Sequence, residues 1–290
     1  MPETPLVCIM IPTFNQASYI SKAVESALAQ DYPNLEIVIA DDHSTDHTEA
    51  IVLPFTGNPI VKYRKNETNI GRVANYRKCL NEHTAADWVI NLDGDDYYTN
   101  NRFISQAMSA IRENGINNTL FYQGANVRKF GQVEKVTGPN MEAREEVIKG
   151  KDYFFSFFER NYFAHMSTLY HRRSAIEENF YHLDIISTDI YSFLCLCLKY
   201  GEKKVIVSKN IAGVWLQHEN NTSANLNLRK HWVNVGLYKK LYQRALEKGY
   251  RSPTCFKWLA TAGYNYLAGY ILKLPPVVKI KRAFSMMNEH

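Results

Sequence analysis

Four times before residue 100 the chain writes a short apolar run, and a polar turn or a helical pattern follows each one. Val7 to Ile11, Leu35 to Ala40, Ile60 to Tyr63 and Trp88 to Leu92 are the runs. Between the first two, Ile20, Ala23, Val24, Ala27 and Leu28 recur at helical spacing in a segment that opens at Ser18 and ends near Asp31-Tyr32-Pro33. Arg72 to Leu80 repeats the helical pattern after the turn Asn69-Ile70-Gly71. Few folds accommodate such alternation. It predicts an α/β architecture with a single Rossmann-like, mixed and mostly parallel sheet flanked by helices. Open sheets of this kind take their ligands outside the carboxyl ends of the strands. Three polar clusters fall at that edge: Pro12-Thr13-Phe14-Asn15, Asp41-Asp42 and Asp93-Gly94-Asp95-Asp96.

Beyond residue 100 the pattern is less regular. Thr119 to Val127 and Val205 to Gln217 read as strands, and Ser187 to Tyr200 reads as a helix. No internal repeat or low-complexity run interrupts the 290 residues, a length that buries an ample core. With 14 Gly, 10 Pro and 13% aromatic residues, collagen-like and disordered chains are excluded. The five cysteines are scattered and odd in number, which fits a reducing compartment better than a disulfide framework. Cys195 and Cys197 lie two apart in a helical pattern and do not share a face, so both are expected in the core. Met1 leads into an apolar run with no basic region before it, so no secretory signal is expected and a cytoplasmic location is.

Charge is unevenly spread. The segment Arg229 to His290 holds 12 of the 34 basic residues but only 2 of the 29 acidic ones, a net +10. The preceding part holds 22 against 27, a net −5. Trp232, Tyr238, Tyr242, Trp258, Tyr264, Tyr266 and Tyr270 are interleaved with the basic residues. A basic, aromatic tail suits an anionic surface, or else a solvated helical face. The uncharged stretch Trp258 to Leu272 is shorter and more polar than the ~20 apolar residues of a spanning helix. Peripheral contact with an anionic membrane is therefore the expectation. Nucleic acid is not expected, because no recognised binding motif accompanies the charge.

Asp93 and Asp95, two apart as the chain leaves a strand, can face one ligand together. Carboxylates held close repel unless a cation joins them, and hard oxygen donors suit Mg²⁺ or Mn²⁺. An acidic turn capping the helix that begins near Asn100 is the plainer alternative. In Asp41-Asp42-His43-Ser44-Thr45-Asp46, Ser44 or Asp46 can cap the next helix, but Asp41 and Asp42 come too early for that. A carboxylate at a strand end can accept a hydrogen bond from a base imide or a ribose hydroxyl.

Taken in order, Ile11-Pro12-Thr13-Phe14-Asn15, Asp41 to Asp46, Asn69-Ile70-Gly71 and Leu92-Asp93-Gly94-Asp95-Asp96 resemble the motifs of family 2 glycosyltransferases, inverting enzymes of the GT-A fold. The resemblance spans roughly residues 5 to 225. It implies a catalytic domain over 1–223, with a nucleotide-binding half (1–100) and an acceptor-binding half (101–223), and a helical basic extension over 224–290. By the same resemblance Pro12, Thr13, Phe14 and Asp41 line the nucleobase pocket for uracil or another base, and Asp93 lies near the ribose. Asp95 is the implied ligand of a Mn²⁺ or Mg²⁺ ion bridging the diphosphate. Asn69 and Arg72 fall beside the nucleotide, where Arg77 is a further option.

Ser187-Thr188-Asp189-Ile190-Tyr191 resembles the acidic motif that carries the catalytic base, which makes Asp189 the candidate. Thr188 stands where the commoner form has Glu. Trp215 to Ser223 resembles the motif that closes the catalytic domain, and within it His218 is the candidate for the metal or the diphosphate. Leu216 stands where that motif usually has Arg. The implied activity moves a sugar from a nucleotide-diphosphate sugar to a hydroxyl of a glycan or lipid-linked glycan, in assembly of a bacterial surface polysaccharide. Two rival readings fit the residues less well. A sugar nucleotidyltransferase wants a Gly-rich, basic loop after the first strand, and Pro12-Thr13-Phe14-Asn15-Gln16 has neither. A non-catalytic module that binds nucleotide sugars would keep the fold and lose a carboxylate, yet Asp41, Asp93, Asp95 and Asp189 are all present.

Overall fold

The computed structural model describes residues 4–162, 166–185, 187–219 and 228–271; side chains of 228–235, 252 and 265–271 are outside the description. The chain divides into two compact units, Met1–Asn225 and Leu226–His290. In the first unit the strands are β1 (Val7–Thr13), β2 (Leu35–Asp41), β3 (Val61–Lys65), β4 (Trp88–Asn91), β5 (Tyr97–Tyr98), β6 (Thr119–Phe130), β7 (Val133–Thr137), β8 (Glu145–Lys149), β9 (Thr168–His171) and β10 (Lys204–Gln217). Its helices are α1 (Ile20–Leu28), α2 (Thr48–Val52), α3 (Arg72–Lys78), α4 (Phe103–Glu113), α5 (Gly150–Ser156), α6 (Arg172–Glu177) and α7 (Thr188–Lys199).

One sheet runs in the order β3-β2-β1-β4-β9-β6-β10-β5, with β7 paired to β6 and β8 to β10. The first four strands are mutually parallel, and β9 enters antiparallel between β4 and β6. Every residue of β1 and β2 is buried, which accounts for runs apolar on both faces. Register aligns the strand ends: Thr13 pairs Asp41, Asp41 pairs Lys65, and Met10 pairs Asn91. Helix α1 buries Ile20, Ala23, Val24 and Ala27, the positions its spacing singles out. It starts at Ile20, two residues later than Ser18, because residues 15–17 are bonded to the loop after β2 instead.

Strand β10 carries the long connection to the site. It pairs parallel with β6 over nearly its whole length, with register shifts at Val207/Ile211 and Ile211/Val214 that bend it. At the bend it meets β5, where Gly213 lies so close that a Cβ there would fall 2.2 Å from the Tyr97 carbonyl oxygen. Only glycine permits that approach. Cys195 and Cys197 are both buried in α7.

The second unit holds α8 (Leu228–Glu247) and α9 (Ser252–Ile271), joined through Gly249 in the left-handed region at φ 81°. Tyr238 of α8 meets Trp258 of α9 edge to face, with ring centroids 6.2 Å apart. Phe256 and Tyr264 are exposed. Among the described residues no helix is long and apolar enough to cross a membrane. The boundary expected at 223/224 and the basic residues Lys273, Lys279, Lys281 and Arg282 lie outside the described residues.

Candidate active site at the strand ends

The loops that follow β1 and β2 are stitched together by short polar side chains. Asn15 turns through the left-handed region (φ 52°), and its N–H donates to Ser44 Oγ at 2.9 Å. Gln16 N donates to Thr48 Oγ1 (3.0 Å) and Ala17 N to Asp46 Oδ2 (3.1 Å). In return Thr45 N donates to Asn15 Oδ1 at 2.8 Å. Asp46 also accepts from Thr48 N at 2.9 Å, so it is Asp46 that tethers the start of α2 while Ser44 holds the first loop. Thr13 Oγ1 donates to Gln16 Oε1 (2.8 Å), and Pro12 and Thr13 are buried beneath. Phe14 alone of this stretch presents a largely exposed ring, 45% accessible at the sheet edge.

Asp41 is fully buried at the end of β2. One oxygen accepts from Ser44 N at 2.7 Å and the other from Tyr63 Oη at 2.5 Å. Burial, followed by that bond, raises the Tyr63 phenol above its ordinary range and keeps it a donor. Asp42 has a role that the residue pattern alone did not reveal. Its carboxylate accepts from Asn66 Nδ2 (3.0 Å), Ile70 N (2.9 Å) and Gly71 N (2.8 Å), which fixes the Asn69-Ile70-Gly71 turn. Asn69 itself is exposed and accepts from Gly71 N at 3.2 Å. Asp42→Ala would leave Ile70 N without its acceptor and reduce Asn66 Nδ2 and Gly71 N to their second acceptors, Asn75 Oδ1 and Asn69 Oδ1. It is expected to lower stability by about 3 kcal/mol; a urea midpoint equal to wild type would contradict this.

The acidic turn after β4 lies across from this pair of loops. Ligand oxygens of Asp93, Asp95 and Asp96 come within 4.8 Å of one another. Tyr76 Oη donates to Asp93 Oδ1, and Leu216 N donates to Asp96 Oδ1 at 2.8 Å. His218, at the end of β10, brings Nε2 to 2.9 Å from Asp95 Oδ2, while its ring stacks on Tyr19 with centroids 4.9 Å apart and planes 5° apart. Burial and then the Asp93 charge raise the Asp95 carboxyl above its usual range, and His218 partly offsets them. Three crowded carboxylates with an imidazole at their edge form a hard donor set for a divalent cation. Asp93, Asp95 and Asp96 are the carboxylates that could hold it, with His218 set against Asp95.

Asp189 is the second residue of α7 and shares a cavity with Asp93 and Arg72. Arg72 Nη2 donates to the Ile185 carbonyl at 3.2 Å. Burial alone would lower the guanidinium pKa; the neighbouring Tyr76, Asp93 and Asp189 outweigh it and hold it above the ordinary value. Arg77 is exposed on the other side of α3 and is not part of this group. Pro12, Thr13, Phe14 and Asp41 thus lie at the ends of the first two strands. Asp93, Asp95 and Asp96 form one cluster that His218 touches through Asp95, and Arg72, Asp93 and Asp189 line one cavity.

This geometry has relatives. A segment of 103 residues is 38% identical to an uncharacterised glycosyltransferase of Rickettsia typhi, covering 36% of this chain and 31% of that protein. Over 280 residues the chain is 24% identical to the GalNAc(5)-diNAcBac-PP-undecaprenol β-1,3-glucosyltransferase of Campylobacter jejuni, covering 93% of this chain and 84% of that one. The chain spans less than a third of the length of several relatives that it matches. The crystal structure of S. aureus TarS 1–349 with UDP-GlcNAc superposes with a TM-score of 0.72 at 18% identity, over 88% of this chain and 70% of that one, so the two share the GT-A fold. The family model for glycosyl transferase family 2 matches residues 8–180, which include the strand-end loops and the acidic cluster. That match takes in more than half of the chain, and the chain belongs to glycosyl transferase family 2.

Proposed function

We propose that the chain is an inverting glycosyltransferase that moves a sugar from a UDP-sugar to a hydroxyl of a lipid-linked or polymeric glycan in bacterial surface-glycan assembly. One observation carries the reading: Asp93 lines one cavity with Asp189 and also belongs to the acidic group Asp93–Asp95–Asp96, where His218 meets Asp95. An acceptor-activating base and a diphosphate-binding centre must lie within one sugar of each other for direct displacement. Support for the substrate classes comes from the likeness to TarS with its UDP-GlcNAc and to a glucosyltransferase named for an undecaprenol-linked glycan.

In this reading Phe14 stacks on the base, with Pro12, Thr13 and Asp41 shaping the pocket wall. Asp41 fixes that wall through Ser44 and Tyr63. Asn69 and Arg72 face the nucleotide from the turn and helix that Asp42 anchors. Asp95 and His218 would hold Mn²⁺ or Mg²⁺, with Asp93 beside them at the ribose, and the ion would supply positive charge against the departing diphosphate. Asp189 takes the proton of the acceptor hydroxyl at its carboxylate as that oxygen attacks the anomeric carbon, on the face opposite the leaving group. Arg72 lies close to both Asp93 and Asp189 and orients them. In this reading nucleotide contacts come mainly from residues 1–100 and acceptor contacts from 101–223, with His218 the residue of the second half that reaches the metal.

The test is nucleoside diphosphate release from UDP-GlcNAc, UDP-glucose and GDP-mannose with Mn²⁺, with and without a polyprenyl-diphosphate-linked glycan. Release that the acceptor accelerates is expected with one donor; no release from any donor would overturn the reading. The basic helical extension is proposed to hold the protein peripherally on an anionic cytoplasmic membrane face, each Lys or Arg near the surface adding about 1 kcal/mol. Flotation with phosphatidylglycerol vesicles at low salt is expected and should be lost at high salt. Protein that stays at the bottom of the gradient at both salts would refute it.

A further inference from the structure

The hairpin of β6 and β7 turns through two residues, Gly131 and Gln132, between the paired ends Phe130 and Val133. Gly131 takes the left-handed conformation such a turn needs, at φ 56°. The hairpin is apolar and open: Phe130, Val133 and Val136 are 62%, 69% and 59% accessible. Register sorts its side chains into two faces. Phe130 lies opposite Val133 and Arg128 opposite Lys135 on one face, and Lys129 opposite Glu134 and Val127 opposite Val136 on the other. Lys129 Nζ lies 2.7 Å from Glu134 Oε1, so the one carboxylate among residues 128–136 is already paired. Arg128 donates to the neutral Gln217 Oε1 at 2.9 Å, with its guanidinium 5.0 Å from the centre of the Trp215 ring. Two positive charges thus face each other two residues behind an exposed apolar tip.

Like charges opposite one another in a ladder cost stability, and an anion lying over both removes that cost. Exposure on both faces narrows the partner further. A folded protein laid on one face would cover Phe130 and Val133 and leave Val136 open, whereas a lipid headgroup layer surrounds a hairpin tip. Strands rise about 3.4 Å per residue, so Arg128 and Lys135 follow the tip by roughly 7 Å. An apolar segment seated at a headgroup boundary reaches about that depth, which brings the two cations level with the phosphates. We infer that the β6–β7 hairpin seats its tip in the headgroup layer of an anionic lipid surface, Phe130 and Val133 inserted and Arg128 and Lys135 against the lipid phosphates. This contact belongs to the first unit and is separate from the basic extension. Phe130 pairs Gln217, the residue before His218, so the lipid surface meets the chain beside the strand end that reaches Asp95. The contact stands without the transferase reading; with it, this is the side from which a lipid-linked acceptor arrives.

All five cysteines are buried, so Gln132→Cys in the full chain takes an environment-sensitive fluorophore at the exposed turn. Its emission is expected to shift to the blue with phosphatidylglycerol vesicles and to be quenched by brominated acyl chains, and to stay unchanged with phosphatidylcholine vesicles. Lys135→Glu moves folding and binding in opposite directions. Its cross-strand pair with Arg128 should hold or raise the melting temperature, while affinity for phosphatidylglycerol vesicles falls about five- to thirtyfold. Phe130→Ser combined with Val133→Ser should lower that affinity about tenfold. A label that stays unshifted would overturn the hairpin contact; if the protein still floats, lipid binding belongs to the basic extension. An equal shift with phosphatidylcholine would overturn the anionic class of the surface. A shift that needs no vesicles and grows with protein concentration would assign the tip to a second copy of the chain instead. Vesicle affinities of Lys135→Glu and of the double serine variant equal to wild type would also overturn the proposal.

Discussion

Asp189→Asn is expected to slow sugar transfer by about 10²–10⁴-fold, the span that general-base catalysis contributes. The substitution keeps size and shape, and it replaces the carboxylate proposed to take the acceptor proton with an amide that is no base. Asp189 heads a 12-residue helix whose far side is buried from Tyr191 to Leu198, so the position is held by packing that the change does not touch. Nucleotide affinity should therefore persist, because Phe14, Asp95 and His218 lie on other elements. The check is nucleoside diphosphate release, to acceptor or to water, alongside binding of the diphosphate itself. A variant that transfers at the wild-type rate would remove Asp189 from the chemistry. A variant that loses binding and rate together would make it a structural residue.

Asp95→Ala is expected to weaken Mn²⁺-supported binding of the nucleoside diphosphate by about 100-fold, roughly 2.8 kcal/mol, and to leave metal-free binding little changed. The metal-free protein gives a second readout with an opposite sign. Burial and Asp93 raise the Asp95 carboxyl in the folded state, so the folded protein holds that proton more tightly than the unfolded chain does. Such a group lowers stability as pH rises from the ordinary carboxylate range through the raised value. Asp95→Asn removes the charge and retains an oxygen for His218, so without metal the variant should melt at or above wild type near neutral pH. Excess Mn²⁺ should stabilise only the wild-type protein. Equal Mn²⁺ stabilisation of the two proteins would take Asp95 out of the cation site.

The fold was legible where the chain buries both faces of a strand. Val7 to Ile11 is apolar throughout, and Leu35 to Ala40 and Trp88 to Leu92 are broken only by Glu36 and Asn91, as suits strands covered by helices; they became β1, β2 and β4. The second half hid its strands for physical reasons. Strand β8 alternates exposed and half-buried positions and carries three charged residues, β9 has four residues, and β5 has two. Neither length nor composition separates such pieces from loops. Strand β10 was visible as an apolar run, but nothing in that run tells that its bend at Gly213 aims His218 at Asp95, 123 residues away in sequence.

The candidate site was legible as clustered carboxylates and less so as their partners. Asp93 and Asp95 stand two apart and could be paired by eye; Asp96 joins them because the turn folds back on itself, with Asp96 N bonded to the Asp93 carbonyl. Asp42 looked like a companion of Asp41, and only the fold shows it holding the turn at Ile70 and Gly71. Tyr76 donates to Asp93 from a helix whose pattern marked its apolar face and not its phenol. Thr168 carried no signal, and Thr188 stood out only as the residue where the acidic motif commonly has Glu.

The most direct test of the central claim is thermal stability against UDP, GDP, dTDP and CDP, each with and without Mn²⁺. A ligand at about 100 times its dissociation constant stabilises the folded protein by roughly 2.7 kcal/mol, enough to move the melting temperature visibly. The account predicts a Mn²⁺-dependent rise with one nucleotide, UDP, that Asp95→Ala abolishes and Asp189→Asn keeps. No shift with any nucleotide, with or without metal, would contradict it.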